Sequence, residues 1–385
     1  MKAAIITFSK AYNYGSALQM YALQKKVEEL LDCECEVIDY YPPNQEEMYT
    51  QYIKCNSLKS MIVNIAGCIY GKNILSRREK FESFYKKYIH FTKKEYRDTE
   101  TLNEINGKYD LYISGGDQVW NVNLIDSSEA YFYPMVKNAI KMSYAPSLGG
   151  GRFDFKNEEI KERVKSYIND YDFISVREHK GRDAAAELAE QKEVVSVLDP
   201  TFLLSREEWN EVASDYKRKE EYIFFYSINY DTTVIDMVKK ISKKLGLPVV
   251  ILYTARKTSK TFFSGFELEK HNAPEDFLSL IKNAKLVLTN SFHGTAFSII
   301  YRKSFYVLRG MYGKKINDDD RMSTILEKLE IKNREITVNT FDSAEYSFEM
   351  DYSQIEERIE KEIELSKDFI KQAKDLWRSQ NEHNM

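Results

Sequence analysis

The chain has 385 residues, with 56 Lys and Arg against 60 Asp and Glu and a formal charge of −4. That balance excludes a general nucleic-acid binder, whose affinity comes from a basic face, and the length exceeds what one hydrophobic core ordinarily serves, so two domains are expected. With 15 Gly and 7 Pro long disordered linkers are not expected, and no apolar run approaches the ~20 residues of a membrane span. An integral membrane segment is therefore not expected, which leaves peripheral association with a membrane open.

Ala3–Phe8 reads as a buried strand and carries no cleavable-signal pattern, so a soluble, cytoplasmic protein is expected. Leu18, Ala22, Leu23, Val27, Leu30 and Leu31 then recur at helical spacing over residues 16–31. The loop between ends in Asn13-Tyr14-Gly15 and is neither a G-x-G-x-x-G nor a Walker loop, so no dinucleotide or ATP fingerprint is present. Asn13 and Gly15 either line a ligand pocket or serve only the turn. The cysteines Cys33, Cys35, Cys55 and Cys68 lack the spacing of a zinc knuckle and are read as free thiols. Glu36–Tyr40 is a strand stopped by Pro42 and Pro43; residues 45–91 are helix-prone, with an apolar patch at Met61–Ile69, and Lys86-Lys87 and Lys93-Lys94 read as solvated helix faces.

Tyr109–Ser114 is a strand ending in Gly115-Gly116-Asp117-Gln118-Val119-Trp120-Asn121. Glycines at a strand's carboxyl end permit a close approach, and an acid, amides and an indole after them suit a sugar through hydrogen bonds and stacking. The alternative is a tight turn with a buried Trp and a capping Asp. Lys141–Ala145 is another strand with a Pro146–Gly151 rim, Lys156–Asn169 is a helix, and Phe173–Val176 is a strand that delivers Arg177. Its planar fork suits a carboxylate or phosphate, or it pairs with Glu178.

Val194–Leu198 is a strand and Asp199-Pro200-Thr201 breaks the pattern, which places a domain boundary near here. Strands at 222–228, 248–253, 285–289 and 304–308 alternate with helices at 232–245 and 274–283, the signature of a second parallel sheet covered on both faces. Between Lys285–Thr289 and a short helix at Ala296–Tyr301 lies Asn290-Ser291-Phe292-His293-Gly294-Thr295. A helix N-terminus presents unpaired N–H groups and about half a positive charge, so an anion is the natural occupant; His293 either touches it or caps the helix. The Gly313–Arg321 loop offers Lys314, Lys315 and Arg321 to such an anion, while its three aspartates make a metal conceivable. Ser353–Arg378 is a long helix with a one-sided apolar stripe.

Taken together, Asn13-Tyr14-Gly15-Ser16-Ala17-Leu18-Gln19, the Gly115–Asn121 turn, Ser175-Val176-Arg177-Glu178, Asp199-Pro200-Thr201 and Ser291-Phe292-His293-Gly294 resemble the polysaccharide pyruvyl transferase family, in order and over residues 1 to about 330. The resemblance implies an α/β fold of two Rossmann-like domains facing a cleft, similar to GT-B. These are residues 1–197 on the acceptor side and 198–345 with the donor anion site, with 346–385 packing back as a helix on the first. It implies transfer from phosphoenolpyruvate to a sugar hydroxyl pair of a lipid-linked or nucleotide-linked glycan precursor, giving a pyruvate ketal and phosphate in surface polysaccharide synthesis, with no cofactor and no metal. Arg177 and His293 match donor-holding positions of the family. With Asp117 as base or sugar ligand they form the catalytic set. Ser291, Phe292, Gly294, Thr295, Lys314 and Arg321 complete the donor side, and Asn13, Tyr14, Gly15, Gly116, Gln118, Trp120 and Asn121 the acceptor side. The family's pattern has an arginine two positions before the histidine; Ser291 stands there, leaving that charge to Arg321, Lys314 or Lys315. The competing expectations are a nucleotide-sugar glycosyltransferase of the same form and a non-catalytic sugar-binding homologue.

Overall fold

A computed structural model describes residues 1–49, 75–149, 152–228, 230–252, 261, 264–312, 315–316 and 320–382. The chain forms two compact units: Met1–Tyr49, Tyr85–Leu204 and Arg358–Met385 make the first, and Thr50–Phe84 with Ser205–Glu357 the second. The Met61–Ile69 patch, Cys55 and Cys68 lie outside the described residues.

The first unit is built on strands β1 (Lys2–Ile6), β2 (Glu34–Tyr40), β3 (Phe91–Tyr96), β4 (Leu111–Gly115), β5 (Ile140–Tyr144), β6 (Phe173–Val176) and β7 (Val194–Ser196). All pair in parallel, in the order β3-β2-β1-β4-β5-β6-β7. Parallel strands covered on both faces need apolar residues at consecutive positions, and every residue of β4 and β5 is buried. The helix Tyr14–Leu31 follows β1 and Glu158–Asn169 follows β5. The terminal helix Ser353–Glu382 lays Phe369 against Tyr144 and Phe173, and its Ser366 Oγ accepts the Leu198 N–H at 2.9 Å.

Two sequence expectations are corrected here. Lys93 and Lys94 lie on β3 rather than on a helix; β3 is the outermost strand of its sheet, and lysines on an edge discourage pairing with another chain. The helix expected at Ala296–Tyr301 starts at Phe292, so Phe292, His293, Gly294 and Thr295 form its first turn rather than a preceding loop.

The second unit carries β8 (Ile223–Tyr226), β9 (Val249–Ile251), β10 (Glu267–Leu268), β11 (Leu286–Thr289), β12 (Phe305–Arg309), a two-stranded hairpin of β13 (Met311–Tyr312) and β14 (Lys315–Ile316), and β15 (Glu335–Thr337). Its main sheet runs β10-β9-β8-β11-β12-β15, again all parallel. The helices Thr232–Leu245 and Pro274–Asn283 cover it, the first capped by Asp231 and closed by Gly246 in the left-handed region. Among the described residues no helix is long and apolar enough to cross a membrane.

Candidate functional site

In each sheet the strand order turns at the earliest strand, between β1 and β4 in the first and between β8 and β11 in the second. Ligands of open α/β sheets bind beyond the carboxyl ends of the strands at such a point.

At the second unit's turning point, Thr289 ends β11 with its Oγ1–H donated to the Tyr226 carbonyl at 2.7 Å, and Oγ1 accepts the Ser291 N–H at 3.0 Å. Two neighbouring strand ends are thereby tied together beneath the Phe292–Ile300 helix. Gly294 is required by packing: a Cβ there would lie 2.3 Å from Thr289 Oγ1 and 3.2 Å from the Tyr226 ring. Its close approach is therefore to its own strand. Ser291 sits at the N-cap in an extended conformation, yet its side chain makes no cap bond, and its Oγ has no hydrogen-bond partner among the described residues although it is 2% exposed. The first N–H satisfied within the helix is that of Thr295, from the Ser291 carbonyl at 3.0 Å, and the Thr295 hydroxyl returns to the same carbonyl at 3.1 Å. His293 is buried in this first turn, with its ring edge-on to Phe292. The strand end thus presents a hydroxyl, an imidazole and a helix start together.

At the first unit's turning point, Asn13 caps the Tyr14–Leu31 helix by accepting the Gly15 N–H at 2.9 Å. Ser16, the third residue of the helix, donates its hydroxyl to Asp117 Oδ2 at 2.5 Å, while Asp117 Oδ1 accepts the Gln118 N–H at 2.7 Å. The Asp117 carbonyl accepts the Ser147 N–H at 2.8 Å, so the loop after β5 closes on this turn. Gly116 has φ +90°, and a Cβ there would lie 1.7 Å from Gln19 Oε1; the glycine admits the glutamine. Gln118 and Asn121 are half-buried and joined by a 3.2 Å hydrogen bond, whereas Tyr14 is sealed.

Two expected site residues have other company. The Arg177 guanidinium is 3% exposed, donates to the Gly116 carbonyl and pairs with Asp199 Oδ2 at 2.7 Å. Asp199 in turn caps the Pro200–Leu203 turn by accepting from the Thr201 N–H and hydroxyl, at 2.9 and 2.7 Å. Neighbouring Glu178 accepts from the Ser147 hydroxyl and the Leu148 N–H, at 3.0 and 2.7 Å. These residues hold the Gly116 turn and the loop after β5 from beneath. The sugar-stacking role expected of Trp120 is corrected: the indole is 0% exposed, stacks on Phe132, meets Tyr171 edge-on and donates its N–H to Ser114 Oγ at 3.2 Å. Both faces are spent on core packing.

Arg177 belongs to the first unit and His293 to the second. Arg321 is half-buried in the first turn of the Asp320–Lys328 helix, and Lys314 lies outside the described residues.

A sequence model described as polysaccharide pyruvyl transferase matches residues 13–310. The chain belongs to that family. It is a polysaccharide pyruvyl transferase by descent, and hence a transferase. No curated protein matches the chain. Among solved structures, a protein of Listeria monocytogenes described as a UDP-N-acetylglucosamine 2-epimerase aligns with a TM-score of 0.52 and 12% identity, over 85% of this chain and 82% of that one. A UDP-N-acetylglucosamine 2-epimerase from Rickettsia bellii aligns at 0.48 and 10%, over 96% and 97%. A heptosyltransferase from E. coli aligns at 0.36 and 12%, over 82% and 91%. At such identity the first likeness speaks of fold alone, and with the two parallel sheets it gives the pyruvyl transferase the expected class, α/β with two Rossmann-like domains of GT-B type.

Sequence reasoning gave no site role to Ser16, Gln19 or Asp126. The first two were within reach, since they sit in the Asn13–Gln19 motif at positions three apart on one helix face. Asp126 is different. It is 5% exposed, its Oδ1 has no partner among the described residues, and burial followed by the Asp117 charge pushes its carboxyl up to about 6. Nothing in Leu124-Ile125-Asp126-Ser127 distinguishes it from an ordinary turn acid.

Proposed function

We propose that this pyruvyl transferase takes its pyruvyl unit from phosphoenolpyruvate and places it on a pair of hydroxyls of a glycan precursor, forming a pyruvate ketal and releasing phosphate during synthesis of a cell-surface polysaccharide. The observation that supports this reading most is the start of the Phe292–Ile300 helix: a buried Ser291 hydroxyl that caps nothing, beside His293, at the turning point of a parallel sheet.

The chemistry follows from the substrates. Each acceptor hydroxyl loses its proton as its oxygen bonds to the central carbon of the donor. The methylene carbon gains one proton to become methyl, and phosphate leaves with the electrons of its C–O bond and carries the other. The donor therefore needs an anion grip and a proton source, and the acceptor needs groups that receive hydroxyl hydrogens. A helix N-terminus attracts the phosphate or carboxylate. The Ser291 hydroxyl donates to one of its oxygens in place of the family's arginine, and His293 in the same first turn faces the leaving phosphate. On the acceptor side we assign the Asn13–Gly15 and Gly116–Asn121 turns, with Asp117 ordered by Ser16 and Gln118, and we read Arg177 as a positioning residue acting through the Gly116 carbonyl.

The test is ligand-linked stability. Phosphoenolpyruvate at a hundred times its Kd stabilises the folded protein by about 2.7 kcal/mol, and His293→Ala and Ser291→Ala are expected to lose most of that shift. A shift with uridine or guanosine diphosphate and none with phosphoenolpyruvate would refute the donor and point to a nucleotide-sugar glycosyltransferase. No shift with any anion would leave a sugar-binding homologue.

A further inference from the structure

The carboxyl edge of the first sheet holds three buried oxygens without a hydrogen-bond partner among the described residues: Gln19 Oε1, Gln45 Oε1 and Asp126 Oδ1. Their residues are 0%, 0% and 5% exposed. Neither amide orientation is arbitrary, because each nitrogen is in use. Gln19 Nε2 donates to Thr7 Oγ1 and the Ser16 carbonyl, both at 3.1 Å, and Gln45 Nε2 donates to the Ser9 carbonyl at 2.7 Å. What remains on both is an acceptor. A buried acceptor left unpaired costs about 1–3 kcal/mol, so three on one edge call for a ligand rich in donors.

Gln19 and Gln45 are both tied to the tail of β1, and Asp126 lies on the segment that leaves β4. Thr7 and Ser9 continue β1, so Gln19 and Gln45 grip the same strand tail two residues apart. The segment leaving β4 begins at Asp117, bonded to Ser16 after β1. It reaches Ile125, whose carbonyl accepts from Asn44 Nδ2 at 2.8 Å, and Ser128, whose hydroxyl meets that of Tyr40 at 2.8 Å. Tyr40 ends β2 and Asn44 lies in the Pro43–Tyr49 helix just after it, and β1 lies between β2 and β4. The Asp117–Ser128 segment therefore passes over the end of β1, the turning point of the sheet, with Asp126 on it. A metal ion would claim the Asp117 oxygens, but these hold the Ser16 hydroxyl and the Gln118 N–H. Hydroxyl hydrogens are the donors that neutral amide oxygens and one carboxyl accept together.

We infer that Gln19, Gln45 and Asp126 are the hydroxyl-recognising groups of the acceptor subsite, and that they take the O–H donors of a hexopyranoside. The inference rests on the pyruvyl-transfer reading only in naming a sugar as the ligand.

Saturation-transfer NMR on the full chain with the methyl glycosides of galactose, glucose, mannose and N-acetylglucosamine tests it, run beside calorimetry with phosphoenolpyruvate. At least one glycoside is expected to receive saturation from the wild type, and Asp126→Leu and Gln45→Met, which remove the acceptor oxygens, each to weaken it about tenfold, the loss of one hydrogen bond to a buried group. Phosphoenolpyruvate binding should be unchanged in both variants, and thermal melting checks that each is folded. Absence of saturation in the wild type, or binding by both folded variants at wild-type strength, would overturn the inference. Glycoside binding that is lost in the variants while phosphoenolpyruvate never binds would support the inference and refute the donor reading. The opposite pattern, phosphoenolpyruvate bound and glycosides indifferent to both substitutions, would refute the inference alone.

Discussion

Asp126→Asn should stabilise the protein, and by an amount that grows with pH. Burial first, and the Asp117 charge second, push the Asp126 carboxyl from its ordinary 3.8 up to about 6. A carboxyl whose pKa is raised in the fold binds more protons folded than unfolded between those values. Its stabilising contribution is present below 3.8 and is lost as pH rises through about 6. At about 1.4 kcal/mol per pH unit the full loss is about 3 kcal/mol, of which about 1.4 kcal/mol falls between pH 5 and pH 7.5. Asparagine keeps the shape and cannot ionise, so the gap between variant and wild type should widen by that amount over the interval. For a unit of this size that is about 3–6 °C in Tm. Comparing the two proteins at each pH cancels carboxylates of opposite sign, such as Asp170 beside Lys141 and Glu269 beside Arg218, whose pKa values are lowered. Parallel melting curves for the two proteins from pH 5 to pH 7.5, with no change in the gap, would refute the reasoning that Asp126 is a buried, under-solvated acid.

Arg177→Ala should cost about 3–5 kcal/mol in denaturant unfolding, because it takes the cation from a fully buried Asp199 and frees the Gly116 turn; adding Asp199→Asn should recover part of it, and a residue needed only for ligand would leave stability unchanged. Gly294→Ala should lose about 1–3 kcal/mol by forcing the Phe292–Ile300 helix off Thr289 and Tyr226, and a variant melting at the wild-type temperature would contradict the packing described. Trp120→Ala should cost about 3–5 kcal/mol, whereas Trp120→Phe should leave acceptor KM unchanged; a KM rise on the conservative change would restore a stacking role.

The legible parts of the fold were those whose burial is written in consecutive residues. Phe173–Val176 and the helices Thr232–Leu245 and Pro274–Asn283 fall where the apolar pattern and flanking turn residues put them. The edge strand β3 was hidden because Phe-Thr-Lys-Lys-Glu-Tyr is half charged, as an edge needs to be. The helix His179–Ala186 was hidden because it is short, is interrupted by a glycine and follows directly on Glu178. For the site, the turns were legible as strand ends followed by glycines, but which side chains face inward was not. Gly116 was read as permitting a close approach, and Gly294 as part of the donor side. The neighbours that fill the space are Gln19 and Thr289, side chains of the same units. Spacing along the chain cannot distinguish these cases, since the approaching atom comes from another element.

The two turning points share a construction and differ in the sign of their chemistry. In each, a glycine lets a helix and a strand end close on one another, Gly116 against Gln19 and Gly294 against Thr289. At the second the buried groups are the Ser291 hydroxyl and the opening N–H groups of a helix, which on the proposed function meet an anion. At the first they are oxygens, on Gln19, Gln45 and Asp126, which on our inference meet ligand hydroxyls. The proposed reaction would use such a division, because phosphoenolpyruvate carries phosphate and carboxylate and no hydroxyl, while a sugar presents hydroxyls. An enzyme built for two anionic nucleotide substrates would have donors at both edges. The polarity of the unpaired atoms, rather than the motif spacing, is the ground on which we propose the acceptor at the first unit and the anion at the second.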